Sequence, residues 1–92
     1  MTNYFYIALY DNQRFRIEET NNIKKTGSYL QNLNIYHSEK LNIGYNTYIF
    51  ALQSLFNALK PKYGVLLYKK RCDAERALAW VNSILILNEI KK

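Results

Sequence analysis

Catalysis at neutral pH needs a nucleophile or proton carrier held beside a group that activates it, and few side chains here could take those parts. His37 is the only histidine and Cys72 the only cysteine. One of each cannot make a His/Cys metal cluster, and one cysteine cannot make an internal disulfide. The seven carboxylates form no recognisable pair. Glu18 and Glu19 are neighbours on an alternating segment and therefore point to opposite faces. A phosphate-cradling glycine loop, a His-Glu zinc motif, a nucleophile elbow and a Cys pair are all missing from the sequence. The expectation is a non-enzymatic protein without cofactor or metal, with His37 in a surface or capping role. A small nuclease or toxin would need carboxylates that only the fold brings together.

Binding chemistry has more to work with. Lys69-Lys70-Arg71 stands between an apolar run, Val65-Leu66-Leu67-Tyr68, and a helical segment that Asp73 can cap. Cations beside outward-pointing backbone N–H groups can hold a phosphate, although such a corner is also an ordinary solvated loop. The N-terminal residues offer a second cluster. Phe5, Ile7 and Leu9 alternate with Tyr4, Tyr6, Ala8 and Tyr10, and Phe15 and Ile17 alternate with Arg14, Arg16 and Glu18. Both patterns are those of strands with one buried face. A two-residue loop would pair Leu9 with Arg14 and mix the faces. A three-residue loop, Asp11 to Gln13, pairs Leu9 with Phe15 and Ile7 with Ile17. The hairpin then shows water a face of Tyr4, Tyr6, Tyr10, Arg14 and Arg16. Single-stranded nucleic acid can stack bases on such rings while Arg contacts phosphate. Tyr–Arg pairs also steady an exposed antiparallel ladder with no ligand at all.

The remaining chain must position these residues. Ninety-two residues suit one domain, 1–92, and a composition 49% hydrophobic with three Gly and one Pro is globular. Thirteen Lys and Arg against seven Asp and Glu give +6, which draws polyanions such as RNA or single-stranded DNA. The abundance of Asn, Ile, Lys and Tyr also fits an A/T-rich genome, which raises Lys independently of function. No apolar run approaches membrane-spanning length, the first residues lack a signal-peptide pattern and the single cysteine fits a reducing compartment, so a cytoplasmic protein is expected.

Residues 20–32 give loop signals around Ile23, Tyr29 and Leu30, with a short helix as the weaker alternative. Leu33 to His37 alternates as a third strand would. Tyr45 to Lys60 is the clearest helix, with Tyr45, Tyr48, Ile49, Leu52, Leu55, Phe56 and Leu59 on one stripe and Pro61 as the stop. Phe50 stands on its polar side. After Asp73, an unbroken helix phased on Leu78 would turn Trp80 and Leu87 away and bring Glu89 into the stripe. A helix over 73–83 followed by a strand at Ile84–Leu87 is therefore favoured over a longer helix buried on two sides in a dimer.

The segment Tyr63-Gly64-Val65-Leu66-Leu67-Tyr68, followed by Asp73-Ala74-Glu75-Arg76-Ala77-Leu78 and Asn82-Ser83, resembles the last third of an RNA-recognition motif. Lys62 stands where that family has Gly, and Val65 where it has a stacking aromatic. The resemblance implies RNA bound on a sheet face and a closing strand after the helix. Residues 2–19, with Tyr4-Phe5-Tyr6 and Gln13-Arg14-Phe15-Arg16-Ile17-Glu18-Glu19, are similar to the start of a cyanobacterial and plastid family that assists the oxidative cyclase of chlorophyll synthesis. That likeness implies an assembly factor. The acidic-aromatic strand and Trp-Leu-Lys-Leu-Arg run of that family are not present.

The expected fold is a two-layer α+β sandwich: an antiparallel or mixed sheet of four to five strands, with two main helices on one face, in the order β-β-β-α-β-α(-β). The expected function is nucleic-acid binding through Tyr4, Tyr6, Tyr10, Arg14, Arg16, Lys69, Lys70 and Arg71. The alternative is a protein-binding adaptor or inhibitor, of phage, mobile-element or assembly-factor type, working through Phe50, Trp80 or a homodimer interface.

Overall fold

The computed structural model describes residues 3–10, 14–22, 33–59 and 66–90. Two strands, β1 (Tyr4–Tyr10) and β2 (Arg14–Thr20), precede α1 (Leu33–Lys40), α2 (Tyr45–Phe56) and α3 (Arg71–Ile90). The hairpin is antiparallel and pairs Tyr10 with Arg14, Leu9 with Phe15, Ala8 with Arg16 and Ile7 with Ile17. That register is the one required to keep the apolar set on one face. Ile7 and Phe15 are buried in the core, and Phe5 and Ile17 pack against it.

Among the described residues the sheet has two strands, not four or five, and the element order is β-β-α-α-α. Each extra strand expected from sequence has a physical reason for failing. Leu66, Leu67 and Tyr68 are buried as a core run should be. Their ladder, however, consists of isolated bridges. Tyr68 exchanges backbone hydrogen bonds with Phe5 at 2.9 and 2.7 Å, and Leu67 does so with Leu59 at 2.7 and 2.8 Å. Lys69 and Lys70 then bend and α3 begins at Arg71, which ends the run on its C-terminal side.

Leu33–Lys40 is helical because its buried positions are Asn34, His37, Ser38 and, just past its end, Leu41. Those positions recur at i, i+3, i+4 and i+7, the helical repeat. Three of the four are polar, so the stripe is silent to a hydrophobicity reading, while Ile35 and Tyr36 are exposed. The end of α1 is a Schellman motif: Asn42 takes φ 57°, its N–H reaches Glu39 O at 3.1 Å, and Ile43 N–H reaches Ser38 O at 3.0 Å. Glycine adopts left-handed backbone freely and alanine does not. Asn42→Ala is therefore expected to lower stability by about 1 kcal/mol and Asn42→Gly to leave it nearly unchanged, as urea titration would measure. Equal losses in both would remove the backbone explanation.

In α2, Tyr48, Ile49, Leu52 and Phe56 form the buried stripe. The helix stops at Phe56, short of the expected Lys60. Asn57 turns left-handed at φ 57°, and the N–H groups of Asn57 and Ala58 both reach Leu52 O. Pro61, Val65 and the expected loop over 23–32 lie outside the described residues.

Residues 84–87 continue α3 and form no strand. The buried line is Ala74, Ala77 and Val81, continued by half-buried Ile84, Leu85 and Asn88. This seven-residue repeat keeps one seam inward over about four turns, and phasing on Leu78 misplaces Glu89, which is exposed. Ser83 does not break the helix because its hydroxyl donates to Trp80 O at 2.7 Å. Asn88 Nδ2 donates to Leu41 O at 2.6 Å, tying the far end of α3 to the α1–α2 turn. Ala74 and Ala77 are both fully buried, and their small side chains let α3 pack closely on the core. It is α3 that covers the hairpin broadly, while α2 packs against α1 and α3. Asp73 lies within the first turn of α3 and does not precede it, so its charge still favours the positive end of the helix.

Candidate nucleic-acid interface

On the outward side of the hairpin, alternation and register place Tyr4 opposite Thr20, Tyr6 opposite Glu18, Ala8 opposite Arg16 and Tyr10 opposite Arg14. Arg14 and Arg16 are exposed, whereas Tyr4, Tyr6 and Ala8 are half-buried. The Tyr10 backbone is in register, and its side chain lies outside the described residues. Tyr6, Arg16 and Glu18 each take part in an interaction within the fold. Two strands make a ribbon narrower than a full sheet, and Glu18 sets an acid among its cations.

Lys69, Lys70 and Arg71 separate into two roles. The two lysines are exposed and, with Asn57, Leu59 and Asp73, line an open cleft of about 260 Å³. Arg71 is engaged locally: its Nε lies 3.3 Å from Glu75 Oε1, and its guanidinium lies 5.7 Å from the centre of the Phe5 ring. The Asp73 carboxylate belongs to the cleft and weakens its pull on anions. Arg76, 3.8 Å away, offsets part of that charge. Because Tyr68 bridges Phe5, the lysines lie beyond β1 and the arginines lie on β2. Two strand spacings across and four to seven residues along the strand separate them by roughly 16–25 Å. A single strand of a few nucleotides reaches that far.

The two aromatics expected to form a protein-binding patch are not together. Phe50 is 71% exposed on the outer side of α2. Trp80 is half-buried, stacked on Tyr48 with ring centres 6.3 Å apart and tilted on Phe56 at 5.8 Å. Tyr48 and Phe56 face inward on α2, so Trp80 and Phe50 lie on opposite sides of that helix.

Two features do not show in the sequence pattern. Ile86, Leu87 and Ile90 are exposed on the last turns of α3, and only a correct helix phase could have shown them. The other is His37, which is 1% exposed and lies in the core, away from any surface or capping position. Its ring meets the Phe15 edge at 4.8 Å, and its Nδ1 lies 3.4 Å from the Tyr48 hydroxyl. Burial lowers its pKa to about 4 and raises those of Tyr48 and Tyr68 above the usual phenol range, with the charges of Tyr48 and Asp73 adding to the rise at Tyr68. The space beside these groups is a cavity of about 10 Å³, too small to admit a substrate. Among the described residues no three His, Cys, Asp or Glu side chains gather as a metal site or nuclease centre would need, and no helix is long and apolar enough to cross a membrane.

The closing strand implied by the RNA-recognition likeness is helix here, so that likeness does not extend to topology. Comparison of the chain with protein-family models, with curated proteins and with solved structures finds no match.

Proposed function

We propose that the chain is a small module that binds single-stranded RNA or DNA along the outer side of its hairpin. The observation that carries the reading is the placement of two exposed arginines, Arg14 and Arg16, on the same side of the hairpin as Tyr4 and Tyr6, in a protein of net charge +6. Arginine supplies phosphate contacts and tyrosine supplies stacking. Lys69 and Lys70 extend the track past β1, and Arg71 contributes only by giving up Glu75. Titration of labelled single-stranded RNA and DNA at several salt concentrations tests it. Binding should weaken steeply with salt, and Arg14→Ala with Arg16→Ala together should reduce the slope of log K against log salt by about 1.4, at roughly 0.7 for each phosphate left without its arginine. Absence of binding at low salt ends the proposal.

A second reading, protein binding, is favoured by exposed apolar side chains: Phe50 on the outer side of α2 is 71% exposed, and Ile86, Leu87 and Ile90 on the last turns of α3 are 55, 54 and 74% exposed. Apolar side chains clustered on a helix end are typical of a partner surface. A homodimer through α3 predicts a concentration-dependent mass in sedimentation that Leu87→Lys abolishes. A monomer at every concentration counts against that form of it.

A further inference from the structure

We infer that the cavity between His37 and Tyr68 is an internal hydration site that holds one water molecule. The Nε2 of His37 and the hydroxyl oxygen of Tyr68 are both buried, and neither has a hydrogen-bond partner among the described residues. Both side chains line the same cavity, with Asn34, Tyr48 and Leu66 among its walls. Its volume, about 10 Å³, is at the threshold for a single water and far below that for an organic ligand.

Buried polar atoms are nearly always satisfied, by protein or by ordered water. A water donates and accepts, so it serves His37 in either tautomer, whichever way the Tyr48 hydroxyl is bonded to Nδ1. Tyr68 both donates and accepts. Such a water would join α1, through His37, to the segment that bridges β1 at Phe5. It would give a helix whose buried side is largely polar a fixed anchor on the hairpin. The inference stands apart from nucleic-acid binding, because the cavity is lined by buried residues of the core and not by the outer side of the hairpin.

Magnetic cross-relaxation between water and the His37 ring protons, measured on the full chain, tests the site directly. A signal with the sign of a water resident for longer than nanoseconds is expected, both at His37 and at the Tyr68 ring. Tyr68→Phe removes one hydroxyl without changing ring volume and should abolish the signal at His37. Two results would overturn the inference: no long-lived water at either ring in the unaltered protein, or a signal at His37 that Tyr68→Phe leaves intact. Should Tyr68→Phe fail to fold, the paired signals in the unaltered chain decide alone.

Discussion

Phe15→Ala is expected to lower folding stability by about 3–5 kcal/mol, the usual cost of emptying a buried aromatic site. Phe15 is 2% exposed, stands opposite Leu9 on the apolar side of the hairpin, and places its ring 4.8 Å from that of His37. It therefore touches the point where the hairpin and α1 meet. A domain of this size holds only about 5–15 kcal/mol in all, so the loss takes about a fifth or more of the total. The melting temperature should fall by at least about 12 °C. Phe50→Ala is the matched control: with 71% of that ring exposed, the change should stay within about 0.5 kcal/mol. Similar losses from both phenylalanines in thermal unfolding would mean that the hairpin face is not the core.

The legible parts of this fold are those in which apolarity and burial coincide. The hairpin register follows from five residues, because a shift by one places Arg14 or Arg16 against Leu9 or Ile7. The α2 stripe of Tyr48, Ile49, Leu52 and Phe56 is plain too, since these residues are apolar and recur at helical spacing, but Leu55 and Leu59, expected on the same stripe, are exposed. Where the two part company, pattern reading fails. Helix α1 buries Asn34, His37 and Ser38 and exposes Ile35 and Tyr36, so the alternation of Leu33, Ile35 and His37 imitates a strand. Helix α3 buries Ala74, Ala77 and Val81, small residues that weigh little in any hydrophobicity scale. The larger Leu78 draws the phase away from the true seam.

The same distinction governs the candidate interface. Register places Arg14 and Arg16 on the outer side from sequence alone, because alternation is a local property. The fate of Arg71 is not local. Its partners are Glu75, one helical turn on, and Phe5, which reaches it only because Tyr68 bridges β1. Trp80 is a similar case. On a helical wheel it stands off the seam, yet the antiparallel passage of α3 along α2 supplies Tyr48 and Phe56 as neighbours.

Acidification should destabilise the fold through His37. Unfolded, this ring titrates near 6.5; in the core, loss of hydration holds its pKa at about 4. Between those values the unfolded chain binds a proton that the folded chain refuses, so stability falls as pH falls. The contribution is complete above pH 6.5, is reduced by about 2 kcal/mol at pH 5 and about 3 kcal/mol at pH 4, and changes little below that. His37 is the only histidine, so a His37→Gln variant should lose the dependence between pH 7 and 5, whatever its absolute stability. Urea titrations of both proteins at pH 7, 6 and 5 give the comparison. A slope that survives in His37→Gln would assign the acid sensitivity to another group and remove His37 from the set of buried, neutral core residues.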